Sequence, residues 1–467
     1  MKKKDKLLLY LLIFANIVSS LFAFLTALGK HFNDGPKYLS LAESLKFGKY
    51  SMWYFLPDYY PETLRTPGYP LFIFSVKSVF GNDISILIAQ YLLYLLSLYL
   101  CCKIVLKITG NIHILFIFLF LTVFNIQIPF YSGYLSAEML TIFLTVLYFY
   151  ILICLKYSFK NAILLGIVAG ADYLVRPSFL LFPLLLIYTL WIIRKKEYLR
   201  YYFVHLITLF LCTVPFSIWN LKNHGVYKPT PLESGAGLMH MSYWSFKLPF
   251  GYKETFNWDN VIVKDATSPF GNAVRNKKYI QIYENQWKEL ITACDSLQSN
   301  KDRENLDVMK NSRKSLFITY NSKYTLKKEK MLREYTLQEI KKNPFFYLET
   351  RIYTFMRFYF TGFNENAFNN SKSFLGKVNA VYPFIVTFST IFLGLFLSLI
   401  YFLRYRFFKN TYLIILTSFC LYVGLAHLFF TIASRYTVPA HFFILMMFSI
   451  FLYQVYFRKN ANSKVSA

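Results

Sequence analysis

An all-α, multi-pass membrane bundle is the fold class this 467-residue sequence predicts, on three observations. Hydrophobic residues make up 56% of the chain and aromatic residues 20%, while charged residues reach only 16%. A water-soluble domain of this size has too little interior to hide that much apolar surface. Apolar runs of the roughly 17–25 residues that a hydrocarbon core requires recur in both halves of the chain. Short runs of Lys and Arg separate them, so much of the net charge of +27 sits beside apolar segments. There it reads as a topology signal and a contact for anionic headgroups, not as a nucleic-acid surface.

About ten spans are expected, at 7–28, 83–107, 112–130, 134–155, 161–175, 177–193, 199–219, 378–403, 410–433 and 436–457. The first follows MKKKDK and is about 22 residues long, too long for the core of a secretory signal and with no small-residue cleavage site behind it. It is expected to be an anchor with its N-terminus in the cytoplasm. Positions 68–80 are apolar but short, and read as an interfacial or re-entrant piece. On this count MKKKDK, 103–109, KYSFK, RKKEYLR, LRYRFFK and FRKN fall on one side. All are basic, as the positive-inside rule asks of cytoplasmic segments.

Three parts follow from this layout. Residues 1–219 form an N-terminal transmembrane module with a first outer loop at 29–67. Residues 220–373 form a large outer segment, and 374–467 a C-terminal transmembrane module. The later part of the outer segment has helical periodicity and ends in an amphipathic stretch expected to lie against the membrane. Five of the six cysteines, Cys101, Cys102, Cys154, Cys212 and Cys420, lie in apolar runs, and Cys294 stands alone in the outer segment. No CxxC or Cys/His spacing suggests zinc or a redox pair.

Ionisable groups at the edge of hydrocarbon are costly, and mark function or pairing. Asp34 follows the first span, and Arg65 precedes the short apolar piece. Glu138 opens the fourth span in SGYLSAEML, Arg176 lies between the fifth and sixth, and Arg435 opens the tenth in SRYTVPAH. All five fall on the outer face, where the positive-inside rule would not send an idle arginine. Each has a structural alternative. Asp34 can cap the helix that DGPKYLSLAESL begins, and Glu138 can face a helix dipole. Arg176 can pair with Asp172 one turn earlier. Arg435 can snorkel, Arg65 can pin its loop, and His240 reads as an ordinary loop histidine and not a metal ligand. The functional alternative is one centre: a carboxylate held at a membrane surface beside basic groups suits chemistry on a lipid-linked substrate. No P-loop, GxGxxG before a helix, Asp-x-Asp or GxSxG is present.

The pieces NDGPKYLSLAESL, RTPGYPLF, SAEML, GIVAGADYLVRPSFLLFPLLL, PFSIWNLKNHGVYKPTPLESGAGL and SRYTVPA, in this order, resemble the GT-C glycosyltransferases. The likeness is to the bacterial relatives of protein O-mannosyltransferases and of the lipid A aminoarabinose transferase. It spans nearly the whole chain, with the large outer segment poorly matched. It implies a GT-C-like bundle with interfacial helices in the first outer loop, in a bacterial inner membrane, with the active site on the outer face. It implies a sugar donor on a polyprenyl monophosphate, inverting transfer to a lipid, glycan or protein hydroxyl, and no separate cofactor. Asp34 takes the place of the catalytic first-loop Asp, Tyr38 that of the Tyr one turn on, and Glu138 that of the second-loop acid. Where the family often has Lys-Pro this chain has Thr66-Pro67, so Arg65, with Arg176, Arg435 and Tyr436, is the expected phosphate contact. Leu64 stands where one relative has a metal-binding Glu, so no metal is carried over.

One base and one leaving-group clamp amount to a single displacement; a retaining enzyme needs a second, nucleophilic carboxylate close to the first. Two other classes compete: an O-antigen-type polymerase or ligase acting on diphosphate-linked glycans, and a lipid or glycan transporter. The first is disfavoured by the acidic loop directly after the first span. The second predicts charges near the midplane and paired broken helices, whereas here the charges gather at one face.

Overall fold

The structure, a computed structural model, describes residues 2–28, 34–156, 158–184, 186, 199–233, 235–244, 277–312, 317–359, 369–404, 410–429 and 434–457. Every regular element among them is helical. The N-terminal module holds α1 (Lys3–Ala27), α2 (Gly35–Ser44), α3 (Gly68–Phe80), α4 (Asp83–Thr109) and α5 (Ile112–Phe124). It continues with the short α6 (Gln127–Phe130), α7 (Glu138–Cys154), α8 (Phe159–Val175) and α9 (Leu199–His224). The outer segment holds α10 (Ala236–Trp244), α11 (Lys277–Asp295), α12 (Asn300–Asn311), α13 (Ser322–Lys342) and α14 (Pro344–Arg357). The last module holds α15 (Phe374–Arg404), α16 (Thr411–His427) and α17 (Val438–Leu452).

Among the described residues five helices are long and apolar enough to cross a membrane: α1, α4, α9, α15 and the stretch Arg435–Tyr456 around α17. A sixth is added if Ile112–Phe124 and Gln127–Gly133, bent by 51° at Asn125-Ile126, count as one span. The expected ten are not reached, for identifiable reasons. Expected spans 134–155, 161–175 and 410–433 are helices of 17 residues each, or about 25 Å at 1.5 Å per residue, at the lower limit of what can cross a core of about 30 Å. Of the remaining one, 177–193, residue 185 and residues 187–193 lie outside the described residues.

α17 occupies the centre of the bundle, against α4, α5, α7, α15 and α16. Every residue from Val438 to Met447 is buried, as befits a helix apolar on all sides. Around it Phe149, Phe182, Phe419 and Phe443 interlock, with ring centroids 4.5 Å apart for Phe149–Phe443 and 4.9 Å for Phe149–Phe419 and Phe182–Phe419. Such pairs are each worth about 0.5–1.5 kcal/mol beyond area burial.

Helix pairs within lipid need more than apolarity, because tails solvate leucine as well as leucine does. α8 and α9 solve this with Gly166 and Gly170. A Cβ at Gly166 would overlap Thr208 Cβ and the His205 carbonyl, and one at Gly170 would overlap Cys212 Cβ. α1 uses polar links: Asn16 donates to the Leu119 carbonyl at 3.0 Å and accepts from Thr122 at 2.8 Å, and Ser19 donates to the Val123 carbonyl at 2.6 Å. Its other face, with Tyr10, Phe14 and Phe22, is exposed.

The described residues of the segments expected to be outer, 29–67 and 220–373, pack against each other. Trp53 donates to the Phe317 carbonyl at 2.9 Å, Tyr60 to Asp302 at 2.8 Å, and Asn305 to Asp58 at 2.7 Å. Thr63 donates to Glu233 at 2.8 Å, and Lys328 pairs with Glu233 at 2.9 Å. Leu41, Tyr50, Met52, Trp53 and Leu56 share a hydrophobic core with Phe216 of α9 and Leu306 and Met309 of α12.

Candidate active site

Four chain segments meet where the first outer loop, the start of α7, the end of α8 and the start of α17 converge. Each is delivered by a local rule. Pro36 in the first turn starts α2, which leaves Asp34 at the N-cap position with φ −85° and ψ −22°. Its carboxylate makes no capping bond, so the capping alternative does not hold. Gly68 lets the loop end press on the backbone of Leu174 and Val175, where any Cβ would collide. Arg176 precedes Pro177, which disfavours helical backbone at the preceding residue. Arg176 is accordingly extended, at φ −142° and ψ 110°. Gln90 on α4, wholly buried, donates to the carbonyls of Ser132 and Tyr134 at 3.0 and 2.7 Å and accepts from Tyr69 at 2.6 Å. It thereby ties the loop before Glu138 to the RTPGYP stretch.

All seven site residues expected from the sequence lie in one constellation. Asp34 Oδ1 takes Arg65 Nη2 at 2.7 Å, and Asp34 Oδ2 faces Arg435 Nη2 at 3.4 Å. Glu138, only 3% exposed, forms a close ion pair with Arg176 and lies 3.8 Å from Arg435 Nε. Arg65 stands over the Tyr38 ring at 5.2 Å. Arg176 and Arg435 stand over the Tyr436 ring at 5.0 and 5.4 Å, and Tyr436 stacks on His427 at 4.9 Å. Tyr38 meets Tyr69 edge-on at 4.8 Å.

Three residues of this region were not singled out from the sequence. Lys37, buried, lies 3.5 Å from Asp34 Oδ1 and 3.2 Å from the centre of the Phe317 ring. Its signal was the one-turn spacing from Asp34. Phe317 comes from the outer segment and had no signal. Glu62, also buried, accepts the backbone N–H groups of Leu64 and Arg65, both at 2.9 Å, and so shapes the chain that carries Arg65.

Electrostatics follow from the packing. Burial pushes the Asp34 carboxyl up, but Arg65, Arg435 and Lys37 together outweigh it and hold it below the usual carboxylate range. Burial pushes the Lys37 ammonium down, partly offset by Asp34. Glu62 has no such surplus of cations: burial raises it to about 7 despite its two backbone donors. Arg65 Nε and Arg176 Nη1 are buried with no hydrogen-bond acceptor among the described residues.

Other expectations resolve differently. Arg176 does not pair with Asp172: one Asp172 oxygen accepts from Thr145 at 2.9 Å, while Arg176 turns to Glu138. The extended backbone imposed by Pro177 takes Arg176 off the helical face that the spacing assumed. His240 is a packing residue, bonded to Gln286 at 3.2 Å and Trp244 at 3.0 Å and stacked on Tyr283. Arg351 of α14, also buried, donates to Ser242 at 2.7 Å and to the Leu428 carbonyl at 2.9 Å. Among the described residues no three His, Cys, Asp or Glu side chains come together as metal ligands.

No protein-family model, curated protein or solved structure matches this chain.

Proposed function

We propose that this is a membrane glycosyltransferase that moves a sugar from a polyprenyl-monophosphate donor to a hydroxyl acceptor at the outer face of the membrane. One observation carries the reading. Lys37, Arg65, Arg176 and Arg435 converge on Asp34 and Glu138, leaving a surplus of two positive charges at the end of an apolar bundle. A phosphate monoester, with about two negative charges once the sugar has left, matches that surplus. Asp34 takes the proton of the acceptor hydroxyl as its oxygen attacks the anomeric carbon. The bond from that carbon to the phosphate oxygen breaks, and its electron pair leaves with the phosphate. Arginine forks grip the departing charge, and a single displacement inverts the sugar. General-base catalysis of this kind contributes roughly 10²–10⁴ in rate. The finer topology belongs to the same proposal: about ten spans, both ends cytoplasmic, in a bacterial inner membrane.

The decisive experiment is mass spectrometry of envelope lipids and glycans from cells with the gene, without it, and with Asp34→Asn. The expected result is loss of one glycosyl group and accumulation of a polyprenyl-phosphate sugar in the latter two. Accumulation of a diphosphate-linked glycan instead would establish the polymerase or ligase class.

A further inference from the structure

The carboxylates of the constellation stand where an incoming anion would bind. Asp34 engages Arg65 and Lys37 through one oxygen and Arg435 through the other. Glu138 engages Arg176 and lies within reach of the same Arg435. Arg435 is therefore shared between the two acids. Beside these pairs, Arg65 Nε and Arg176 Nη1 are buried donors that no described acceptor fills. A carboxylate gripped by three cations is a weak base, since each cation favours its charged form. The arrangement is thus well suited to hold an anion and, as it stands, poorly suited to accept a proton.

We propose that Asp34 and Glu138 are internal counter-ions which a lipid phosphate displaces. The phosphate takes Arg65 and Arg435 from Asp34, and Asp34 becomes an effective base only afterwards. Donor therefore binds before acceptor, and the base is kept idle until a leaving group is in place. The chemistry rests on the glycosyl-transfer reading above; the exchange itself rests on the ion pairs. It has a consequence opposite to that of a positioning role. A carboxylate that merely positions arginines weakens phosphate binding when it is neutralised. A counter-ion that competes with phosphate strengthens binding when neutralised, because the surplus rises from two charges to three and the arginine N–H groups come free.

The test is calorimetric titration of the full chain in nanodiscs with a short-chain polyprenyl monophosphate. It compares the parent with Asp34→Asn, Glu138→Gln and Arg65→Gln, each checked for folding by thermal unfolding. The expected result is binding at least about fivefold tighter in Asp34→Asn or Glu138→Gln, and at least about tenfold weaker in Arg65→Gln. In the parent, infrared difference spectra on adding the same lipid are expected to show shifted carboxylate stretching bands. If the folded carboxamide variants bind no tighter while Arg65→Gln binds weakly, the exchange is overturned and the donor reading stands. If the lipid binds the parent with a silent carboxylate region, the exchange is likewise overturned, whatever the variants do. If neither parent nor variants bind the monophosphate, the donor reading falls, and the exchange with it.

Discussion

Asp34 is the residue on which the proposed chemistry turns. Asp34→Asn keeps size and shape, so the folded protein is expected to bind donor at least as well as the parent but turn over roughly 10²-fold more slowly or worse. Near-normal turnover would remove Asp34 from the mechanism. The clamp is tested by Arg→Lys, which keeps charge but loses the planar fork. Arg65→Lys or Arg435→Lys is expected to lower kcat/KM for the lipid donor at least about tenfold, or about 1.4 kcal/mol. Glu62 offers a test outside the chemistry. Its folded-state value of about 7 lies above its ordinary 4.5, so its contribution to stability is full below pH 4.5 and is lost as pH rises to about 7. Glu62→Gln, which can still accept from Leu64 and Arg65, should flatten the melting temperature across that window; an unchanged profile would show that Glu62 does not titrate there. At this scale the sequence was legible where charge opposed topology: an arginine on the outer face stood out. Lys37 did not, because a lysine in the first turn of a polar helix reads as surface. Asp172 misled, because its spacing to Arg176 assumed a helix that Pro177 ends.

Single helices were legible from apolar length, and their ends were less so. Asn125-Ile126 breaks what reads as one run at 112–130, and α7 begins at Glu138, not at 134, because the Ser132–Tyr134 backbone is bonded to Gln90. The α8–α9 seam was present in the sequence as Gly166 and Gly170, four apart, a small-xxx-small spacing that lets backbones approach. Gly166→Ile is expected to lower the thermal midpoint clearly, since the new side chain meets the His205 carbonyl as well as Thr208 and overpacking costs about 1–3 kcal/mol or more. Ile167→Leu, beside it but exposed, should leave the midpoint unchanged and serves as the control. Equal midpoints for both variants would mean that the seam is looser than drawn.

For the molecule as a whole, the contacts of Asp58 with Lys301 and Asn305 bring the described part of the first loop and α12 to the same side of the bundle. Cysteines introduced at Asp58 and Asn300 should therefore be labelled by a membrane-impermeant reagent from one side only. Sites at Lys195 and Lys409, which lie outside the described residues, should be labelled only from the other. Labelling at Lys195 from the Asn300 side would mean the spans are miscounted. The joining of the two outer segments was not legible in advance. It rests on pairings such as Trp53 with Phe317, which are 264 positions apart and leave no periodic trace in either segment.

Asp34 and Arg435 touch across 401 positions of chain, and the helix that follows Arg435 fills the middle of the bundle. The helices that precede it in the chain therefore have no closed interior of their own without it. The centre is complete only with that helix in place among its neighbours. A chain stopped before residue 435 would hold both acids and lack the arginine they share. Under the glycosyl-transfer reading, a copy cut before residue 435 is expected to be inactive, for want of both the shared arginine and the helix that fills the centre.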